Sequence, residues 1–205
     1  MKRLAIFGAS GHGKVVAEIA EISGWSDIIF FDDDLSNNNV ENWNIQGNLK
    51  EFLSQLHNYD GSIVAIGDNQ KRAKIVHLIL SNKSNNLISL IHPYAVVSKL
   101  SKIGLGSVIM AGSIINPYSK IGVSNIINTN SVIEHDNLIG DFVHVSPGVN
   151  IAGGVSIGNG SWIGIGSSII QSIVIGKNVI VGAGSVVLDN ILDNSVVYGI
   201  PARSR

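Results

Sequence analysis

The second half of the sequence is built on a six-residue repeat. An aliphatic residue stands at every sixth position, with no insertion or deletion, from Ile91 to Val187. The series is Ile91, Val97, Ile103, Ile109, Ile115, Ile121, Ile127, Ile133, Ile139, Val145, Ile151, Ile157, Ile163, Ile169, Ile175, Val181 and Val187. Neither an α-helix nor an ordinary strand has a period of six, so the pattern predicts stacked repeats.

The hexapeptides also predict the shape of the stack. In repeats such as residues 103–108 and 157–162, the aliphatic residue would face inward and a small residue four positions later would mark a corner. Three hexapeptides would close one triangular coil, and coils would stack at the strand spacing of about 4.8 Å. The repeats resemble the left-handed parallel β-helix of hexapeptide-repeat acyltransferases, and that resemblance alone implies the left hand.

Residues 1–90 follow a different pattern, in which short strands alternate with helices. We expect strands at residues 3–7, 28–31, 62–66 and 87–91, helices at residues 14–23, 49–56 and 70–80, and an irregular polar segment at residues 35–44. Such alternation implies a small parallel sheet. The sequence therefore predicts a Rossmann-like α/β domain over residues 1–90, and a β-helix with a C-terminal tail over residues 91–205.

Composition excludes several classes of protein. The 205 residues have a formal net charge of −1 and no clustered basic face, so we expect no nucleic-acid partner. The absence of cysteine excludes disulfides, thiolate metal sites and a cysteine nucleophile. No apolar run approaches about 18 residues, and the N-terminal apolar run is too short for a signal peptide, so we expect no membrane insertion and a cytoplasmic location.

His135 interrupts the repeat between two acidic residues, Glu134 and Asp136. Counting three hexapeptides forward places Gly153 one coil above it. Glycine leaves space and a free backbone N–H, which can polarise a carbonyl, beside an imidazole that can accept a proton near neutral pH. The pattern indicates either a general base beside a bound acyl carbonyl or an exposed histidine on a flat face.

His144 closes another hexapeptide near a corner, and Trp162 stands three hexapeptides later. We expect the two side chains on the same edge of the prism, where they line a groove or pack against another subunit. His135 and His144 are half a coil apart and belong to different faces, so we expect no metal site.

A glycine-rich loop, residues 8–13, follows the first strand and opens a helix. Its spacing is GxxGxG, which differs from the dinucleotide motif GxGxxG, and a tight turn explains the glycines about as well as phosphate binding does. Helix N-termini favour phosphate, however, and Asp32 and Asp33 follow about 20 residues later, where a carboxylate can accept from a ribose or a base. A domain with three to four strands suits a UDP-sugar better than a complete NAD.

Four segments carry a resemblance to a known family: residues 128–136, 140–148, 152–153 and 199–203. They look like bacterial sugar acyltransferases, a group that joins sialic acid O-acetyltransferases of the NeuD type with N-acetyltransferases of nucleotide-linked 4-amino-6-deoxy sugars. The resemblance runs from the first strand to the C-terminal Gly-Ile-Pro-Ala-Arg. It implies acetyl-CoA as the donor, a homotrimer, and active sites between adjacent β-helices.

The resemblance implies roles for individual residues. His135 would be the general base, oriented by Asp136, where the amino-sugar enzymes typically have Glu, or by Glu134. Asn128 would lie near the acceptor sugar, with a structural asparagine ladder as the alternative. The implied acetyl-CoA contacts are His144, Gly153, Ile165 and Ala183, with the Gly153 amide at the thioester carbonyl.

The same resemblance assigns the nucleotide sugar to the α/β domain. The implied contacts are Ser10, Gly11 and His12 for the phosphates and sugar, Asp32 and Asp33 for the uridine, and Gly67 for another part of the substrate. A solvated turn at residues 32–34 and a strand-end turn at Gly67 are the structural alternatives.

These features lead to one hypothesis: an acetyl-CoA-dependent N-acetyltransferase of a UDP-linked 4-amino-4,6-dideoxy sugar, with direct transfer and His135 as the base. The enzymatic alternatives are O-acetylation of sialic acid or another sugar, and N-acetylation of a GDP-perosamine-type sugar. The non-enzymatic alternative is a β-helix scaffold that senses a nucleotide sugar. Only the scaffold predicts no acetyl-CoA binding.

Overall fold

The computed structural model describes residues 2–36, 39–83 and 85–204. The chain divides into two units, Met1–His92 and Pro93–Arg205, at a point close to the boundary expected from the sequence. No helix among the described residues is long and apolar enough to cross a membrane.

The first unit is a mainly parallel sheet with three helices. Its elements are β1 (Arg3–Phe7), α1 (Gly11–Ile22), β2 (Asp27–Phe31), β3 (Asn39–Val40), β4 (Trp43–Gly47), α2 (Leu49–Gln55), a 3-10 turn (Leu56–Asn58), β5 (Gly61–Val64), α3 (Asn69–Leu80) and β6 (Leu90–Ile91). The sheet has the order β3-β4-β2-β1-β5. The strand order reverses at β1, because β2 lies on one side of β1 and β5 on the other. At such a switch point a crevice opens at the carboxyl ends of the neighbouring strands.

Helix-capping residues explain where the helices begin. The Asp68 side chain accepts the backbone N–H of Lys71 at 2.8 Å, so Asp68 caps α3. Helix α1 begins at Gly11, slightly before the expected start. A Cβ on Gly13 would lie 2.2 Å from the Gly8 carbonyl oxygen, so this close approach of loop and helix requires glycine.

The expectation of an irregular segment over residues 35–44 is wrong at residues 39–44, whereas residues 35 and 36 are irregular as expected; residues 37 and 38 lie outside the described residues. Strands β3 and β4 form an antiparallel hairpin, and β4 also pairs in parallel with β2. The sheet therefore has five strands, more than the three to four expected. The turn at Glu41 adopts a positive φ of 53° without glycine or proline, which is why the sequence does not predict a hairpin there.

The second unit is a parallel β-helix of very short strands. They are β7 (Val96–Val97), β8 (Lys102–Ile103), β9 (Val108–Ile109), β10 (Ile114–Ile115), β11 (Lys120–Ile121), β12 (Ile126–Ile127), β13 (Val132–Ile133), β14 (Leu138–Ile139), β15 (His144–Val145), β16 (Asn150–Ile151), β17 (Ser156–Ile157), β18 (Trp162–Ile163), β19 (Ser168–Ile169), β20 (Val174–Ile175), β21 (Ile180–Val181), β22 (Val186–Val187), β23 (Val196–Tyr198) and β24 (Arg203–Ser204). From β7 to β19, each strand pairs with the third strand after it, so the prism has three walls.

Each wall is defined by the strands that it contains. Wall one runs through β7, β10, β13, β16, β19 and β22; wall two through β8, β11, β14, β17 and β20; wall three through β9, β12, β15, β18, β21 and β23. Ile133 pairs with Ile115 below and Ile151 above, which confirms the expected register of three hexapeptides per coil. The repeated Ile and Val side chains fill the interior, and Ile133 is fully buried.

The corners of the prism explain the small residues of the repeat. Every sixth residue from Gly106 to Gly184 has a positive φ, including Asp136 at 59°. Left-handed backbone costs least for glycine and for asparagine or aspartate, which occupy most of these positions. The next residue is often small and buried, as at Ser131 and Ser161, so each corner turns tightly around the core.

Candidate active site

The backbone around His135 is held from both neighbouring coils. His135 follows β13 at a corner of wall one, and its carbonyl accepts the N–H of Gly154 from the coil above at 2.9 Å. The N–H of Asp136 donates to the carbonyl of Pro117 in the coil below at 3.1 Å. Since the backbone is fixed on both sides, the imidazole projects from a rigid support.

Gly153 lies directly against the His135 imidazole. A Cβ at position 153 would stand 2.6 Å from His135 Cε1 and 2.7 Å from Nε2, closer than any side chain tolerates. The φ of Gly153 is not in the left-handed region, so its backbone alone does not require glycine. The space occupied by the imidazole is therefore the reason for glycine at this position.

Asp136 holds the opposite side of the ring. Its Oδ2 lies 2.8 Å from His135 Nδ1, and the Asp136 and His135 side chains are 61% and 62% exposed. A carboxylate can only accept, so Nδ1–H is the donor and Nε2 keeps its lone pair. Of the two acidic neighbours, Asp136 is thus the one that makes this contact, and Nε2 is the atom that can take a proton.

Wall three carries a groove of about 570 Å³, whose outward side chains come from successive coils. Its lining consists of Asn128, His144, Ser146, Pro147, Trp162, Gly164, Ile165, Ile180, Val181, Gly182 and Ala183. His144 is 9% exposed and stacks on Trp162, with ring centroids 4.8 Å apart and planes 24° apart. The pair therefore lies on one edge of the prism, one coil apart, and lines a groove.

The groove gathers part of the expected acetyl-CoA set. His144, Ile165 and Ala183 line it together with Asn128, whereas Gly153 lies against His135 on wall one. Residues that were not singled out from the sequence, such as Ile180 and Gly182, also line it. The register could have found both, because each stands one coil beyond Trp162 or Gly164.

In the first unit, Asp32 closes the glycine-rich loop. Its Oδ2 accepts the backbone N–H of Ala9 at 2.6 Å, and its Oδ1 accepts the N–H of Asp34 at 2.9 Å. Ser10 precedes α1 without capping it by a side-chain hydrogen bond. These residues line a cavity of about 500 Å³ together with Lys14, Asn39, Val40, Glu41 and Ile45. The missed hairpin supplies one side of this cavity, and its Glu41 forms an ion pair with Lys14.

The other expected nucleotide contacts are distributed around this crevice. Asp33 accepts the N–H of Leu49 at 3.0 Å and lines a second cavity of about 390 Å³ with Asp32, Lys71 and Lys74. Gly11 and His12 lie in the first turn of α1, outside the residues that line either cavity. The structure thus brings Ser10, Asp32 and Asp33 to the crevice at the carboxyl edge of the sheet.

Gly67 lies in a loop held by a buried arginine. The Arg72 guanidinium donates to the carbonyls of Ile66 and Gly67 at 2.9 and 3.0 Å, and to Asn69 Oδ1 at 2.7 Å. Burial lowers the pKa of Arg72 to about 10, against the opposing effect of Asp68. A Cβ on Gly67 would contact nothing within 4 Å, so this position faces open space.

Comparison with known proteins covers both units. The PglD N-terminal domain matches residues 3–79, and the bacterial transferase hexapeptide (six repeats) matches residues 154–189. UDP-N-acetylbacillosamine N-acetyltransferase of Bacillus subtilis (strain 168) is 38% identical over 54% of this chain, a match that spans about half (52%) of that enzyme.

Solved structures match along the whole chain. The acetyltransferase domain of PglB from Neisseria gonorrhoeae FA1090, in complex with acetyl coenzyme A, is 36% identical with a TM-score of 0.94, covering 100% of this chain and 99% of that one. PerB from Caulobacter crescentus, in complex with CoA and GDP-perosamine, is 35% identical with a TM-score of 0.92, covering 100% of this chain and 98% of that one.

These matches confirm the fold class expected from the sequence, a small α/β unit followed by a left-handed parallel β-helix. They also confirm the expectation of an acetyltransferase. The chain therefore belongs to the hexapeptide-repeat sugar N-acetyltransferases of the PglD and NeuD type.

Proposed function

We propose that this protein transfers the acetyl group of acetyl-CoA to the amine of a UDP-linked 4-amino-4,6-dideoxy sugar. The observation that carries the proposal is the His135 imidazole, held at Nδ1 by Asp136 and placed with Nε2 against Gly153. Residues 1–90 would hold the nucleotide and the β-helix would carry the chemistry. A solved structure that matches both units is a perosamine N-acetyltransferase, which favours N- over O-transfer.

The proposed mechanism is direct acyl transfer. The sugar amine attacks the thioester carbonyl carbon, a C–N bond forms and the C–S bond breaks, and the thiol form of CoA leaves. His135 Nε2 accepts the proton that the amine loses, while Asp136 stabilises the resulting imidazolium through Nδ1–H. The Gly153 N–H stabilises the oxyanion of the tetrahedral intermediate.

The groove on wall three suits the acyl donor. It is mostly apolar with a few polar groups, as expected of a site for the pantetheine arm. Relatives of similar length bind acetyl-CoA or CoA in their solved structures. We assign His144, Ile165 and Ala183 to the donor site on this basis, and Asn128 to the junction between donor and acceptor.

The active site is proposed to lie between neighbouring copies in a homotrimer. His135 projects from wall one, whereas the groove opens on wall three, so the two parts occupy different faces of one prism. A cyclic trimer would bring the groove of one copy to His135 of the next. Light scattering that gives three times the mass of the chain supports this arrangement, and a monomer with full activity contradicts it.

The identity of the nucleotide is the less constrained part of the proposal. The relative from Bacillus subtilis is named for a UDP-sugar, whereas the PerB structure contains GDP-perosamine. Cavities of about 500 and 390 Å³ have room for either base, so we favour UDP on the name of the relative from Bacillus subtilis. GDP-perosamine is the second candidate because PerB matches the full chain.

A thermal-shift screen of UDP-, GDP- and CMP-linked sugars tests the nucleotide, followed by acetyl transfer with the best binder. We expect the largest stabilisation from a UDP-sugar, in the manner of any ligand that binds only the folded state. Stabilisation by GDP-sugars alone would favour the second candidate. Binding of a nucleotide sugar without any acetyl-CoA binding would favour a scaffold.

We predict that His135→Ala lowers kcat at least about ten-fold, because it removes the general base. The exposed His57→Ala, in the first unit, serves as the matched control and should keep the wild-type kcat. Steady-state kinetics at saturating acetyl-CoA measure both variants. Wild-type turnover by His135→Ala would remove His135 as the base.

A further inference from the structure

His144 belongs to a chain of polar contacts on wall three. Asn128 Nδ2 lies 3.2 Å from His144 Nε2, His144 stacks on Trp162, and Trp162 Nε1 donates to Ser146 Oγ at 2.9 Å. Asn128 and Trp162, from the coils below and above, therefore fix the plane and the rotation of the imidazole. Such a degree of support indicates that the orientation of this ring matters.

The direction of the Asn128 amide determines the tautomer of His144. The backbone N–H of Thr129 donates to Asn128 Oδ1 at 2.8 Å, so the oxygen faces Thr129 and the NH₂ group faces the imidazole. An amide NH₂ can only donate, so His144 Nε2 must accept. A neutral imidazole that accepts at Nε2 carries its proton on Nδ1.

The surroundings of His144 also disfavour an imidazolium. The ring is 9% exposed, and of the residues that line the groove it is the sole ionisable one. Its neighbours in the sheet are Ile126 below and Trp162 above, and Pro147 and Ser146 lie beside it in the groove. An imidazolium would carry a proton on both ring nitrogens, so its Nε2 could no longer accept the N–H of Asn128.

The two histidines of the site are therefore built in opposite ways. The His135 ring is exposed and donates Nδ1–H to a carboxylate, which supports a positive charge, and its Nε2 lone pair is available. His144 is buried beside an amide donor that occupies its Nε2 lone pair. The first arrangement suits proton transfer, and the second suits a fixed neutral group.

We propose that Asn128 and Trp162 are positioning residues that lock His144 as the neutral, Nδ1-protonated tautomer in the donor groove. His144 then orients the acyl donor and takes no part in proton transfer, and Asn128 acts through His144. The assignment to the donor rests on the proposed function, whereas the tautomer is a property of the free protein.

Nitrogen-15 NMR of the histidine rings in the full-length free protein tests the tautomer directly. We expect one imidazole with the Nδ1–H pattern, assigned to His144 by its disappearance in His144→Gln. A Nε2–H pattern for this ring would overturn the proposal. The result does not depend on substrate, so it can fail while the proposed function stands.

Asn128→Asp tests whether the Asn128 amide sets the tautomer of His144. The substitution keeps the shape of the side chain but replaces the amide donor by an acceptor. We expect His144 to change to the Nε2–H or imidazolium form, and the KM for acetyl-CoA to rise at least about five-fold, with the KM for the sugar within about two-fold. Asn130→Asp adds the same charge at an exposed corner nearby and should change neither quantity. An unchanged His144 spectrum in folded Asn128→Asp would refute the coupling.

Trp162→Phe tests the stacking partner. Phenylalanine keeps a flat ring against His144 but loses the hydrogen bond to Ser146. We expect acetyl-CoA to change the tryptophan fluorescence of the wild type and to leave that of Trp162→Phe constant, since Trp25 and Trp43 belong to the first unit. An equal fluorescence change in both proteins would exclude Trp162 from the donor site.

Discussion

At the scale of single residues, the repeat made part of the site predictable. The interval of three hexapeptides placed Gly153 over His135 and Trp162 over His144, and the structure has both pairs in contact. The same arithmetic could not choose between Glu134 and Asp136, which flank His135 symmetrically in sequence. That choice depends on the left-handed corner at Asp136, a conformation that spacing alone does not specify.

Removal of the charge at position 136 should affect catalysis more than stability. We predict that Asp136→Asn lowers kcat several-fold, because the imidazolium loses its carboxylate, and leaves the melting temperature within about 2 °C, because asparagine tolerates a positive φ. The matched control is Glu134→Gln, which makes the same change on the other side of His135. If Glu134→Gln lowers kcat more than Asp136→Asn does, the orienting group is Glu134.

A methyl group at position 153 should displace the base. We predict that Gly153→Ala lowers kcat at least about ten-fold, since its Cβ would stand 2.7 Å from His135 Nε2 and a small displacement of a catalytic group is costly. Gly148→Ala is the opposite case: its φ is +67° and its Cβ would meet nothing within 4 Å. It should cost about 1 kcal/mol of stability through backbone strain and keep its kcat. Kinetics and thermal melts of the two variants measure this contrast, and a wild-type kcat in Gly153→Ala would contradict it.

At the scale of elements, the strands and helices with strong apolar patterns were predicted and the hairpin was not. Strand β1 and helix α3 have buried faces and a cap that the sequence displays. Strands β3 and β4 are short, polar on one side, and joined by a turn at Glu41 without glycine. The hairpin is stabilised by pairing with β2, a tertiary contact that local sequence does not reveal.

Arg72 connects helix α3 to the loop that contains Gly67, and its loss should weaken the first unit. We predict that Arg72→Met lowers the free energy of unfolding by about 2 kcal/mol, because two carbonyls lose their donors. Lys71→Met, an exposed change on the same helix, should have little effect. Hydrogen exchange of the backbone amides should show faster exchange at residues 61–80 in Arg72→Met alone. Equal protection in both variants would mean that the arginine is not needed to hold the loop.

At the scale of the whole molecule, the β-helix was predictable because its stability depends on one period. Each coil contacts the coils above and below through the same interior Ile and Val positions. The placement of His135 and the groove on separate walls was harder to predict from the sequence, because it depends on how the strands pair into three walls. The repeat does not predict how copies of the chain associate, since its outward positions have no fixed pattern.

The six-residue period allows a test of whether folding of the β-helix depends on its register. We predict that a duplicate of residues 170–187, inserted after Val187, folds with a melting temperature close to that of the wild type, because it adds one complete coil. One glycine inserted between Ser168 and Ile169 should abolish cooperative unfolding, because it shifts every following inward residue out of register. Circular dichroism melts distinguish the two. A cooperative melt of the single-residue insertion would show that the register is not required.

The left-handed corners carry a consequence for how such chains diversify. Bulky Tyr118 and Phe142 occupy corner positions at φ values of 64° and 58°, and Tyr118 is 61% exposed. Although glycine, asparagine and aspartate are commonest at the corners, bulky side chains also occur there, whereas the inward positions of the repeat are all Ile or Val. New loops and new specificities can therefore arise along the edges of the prism while the register of its walls stays the same.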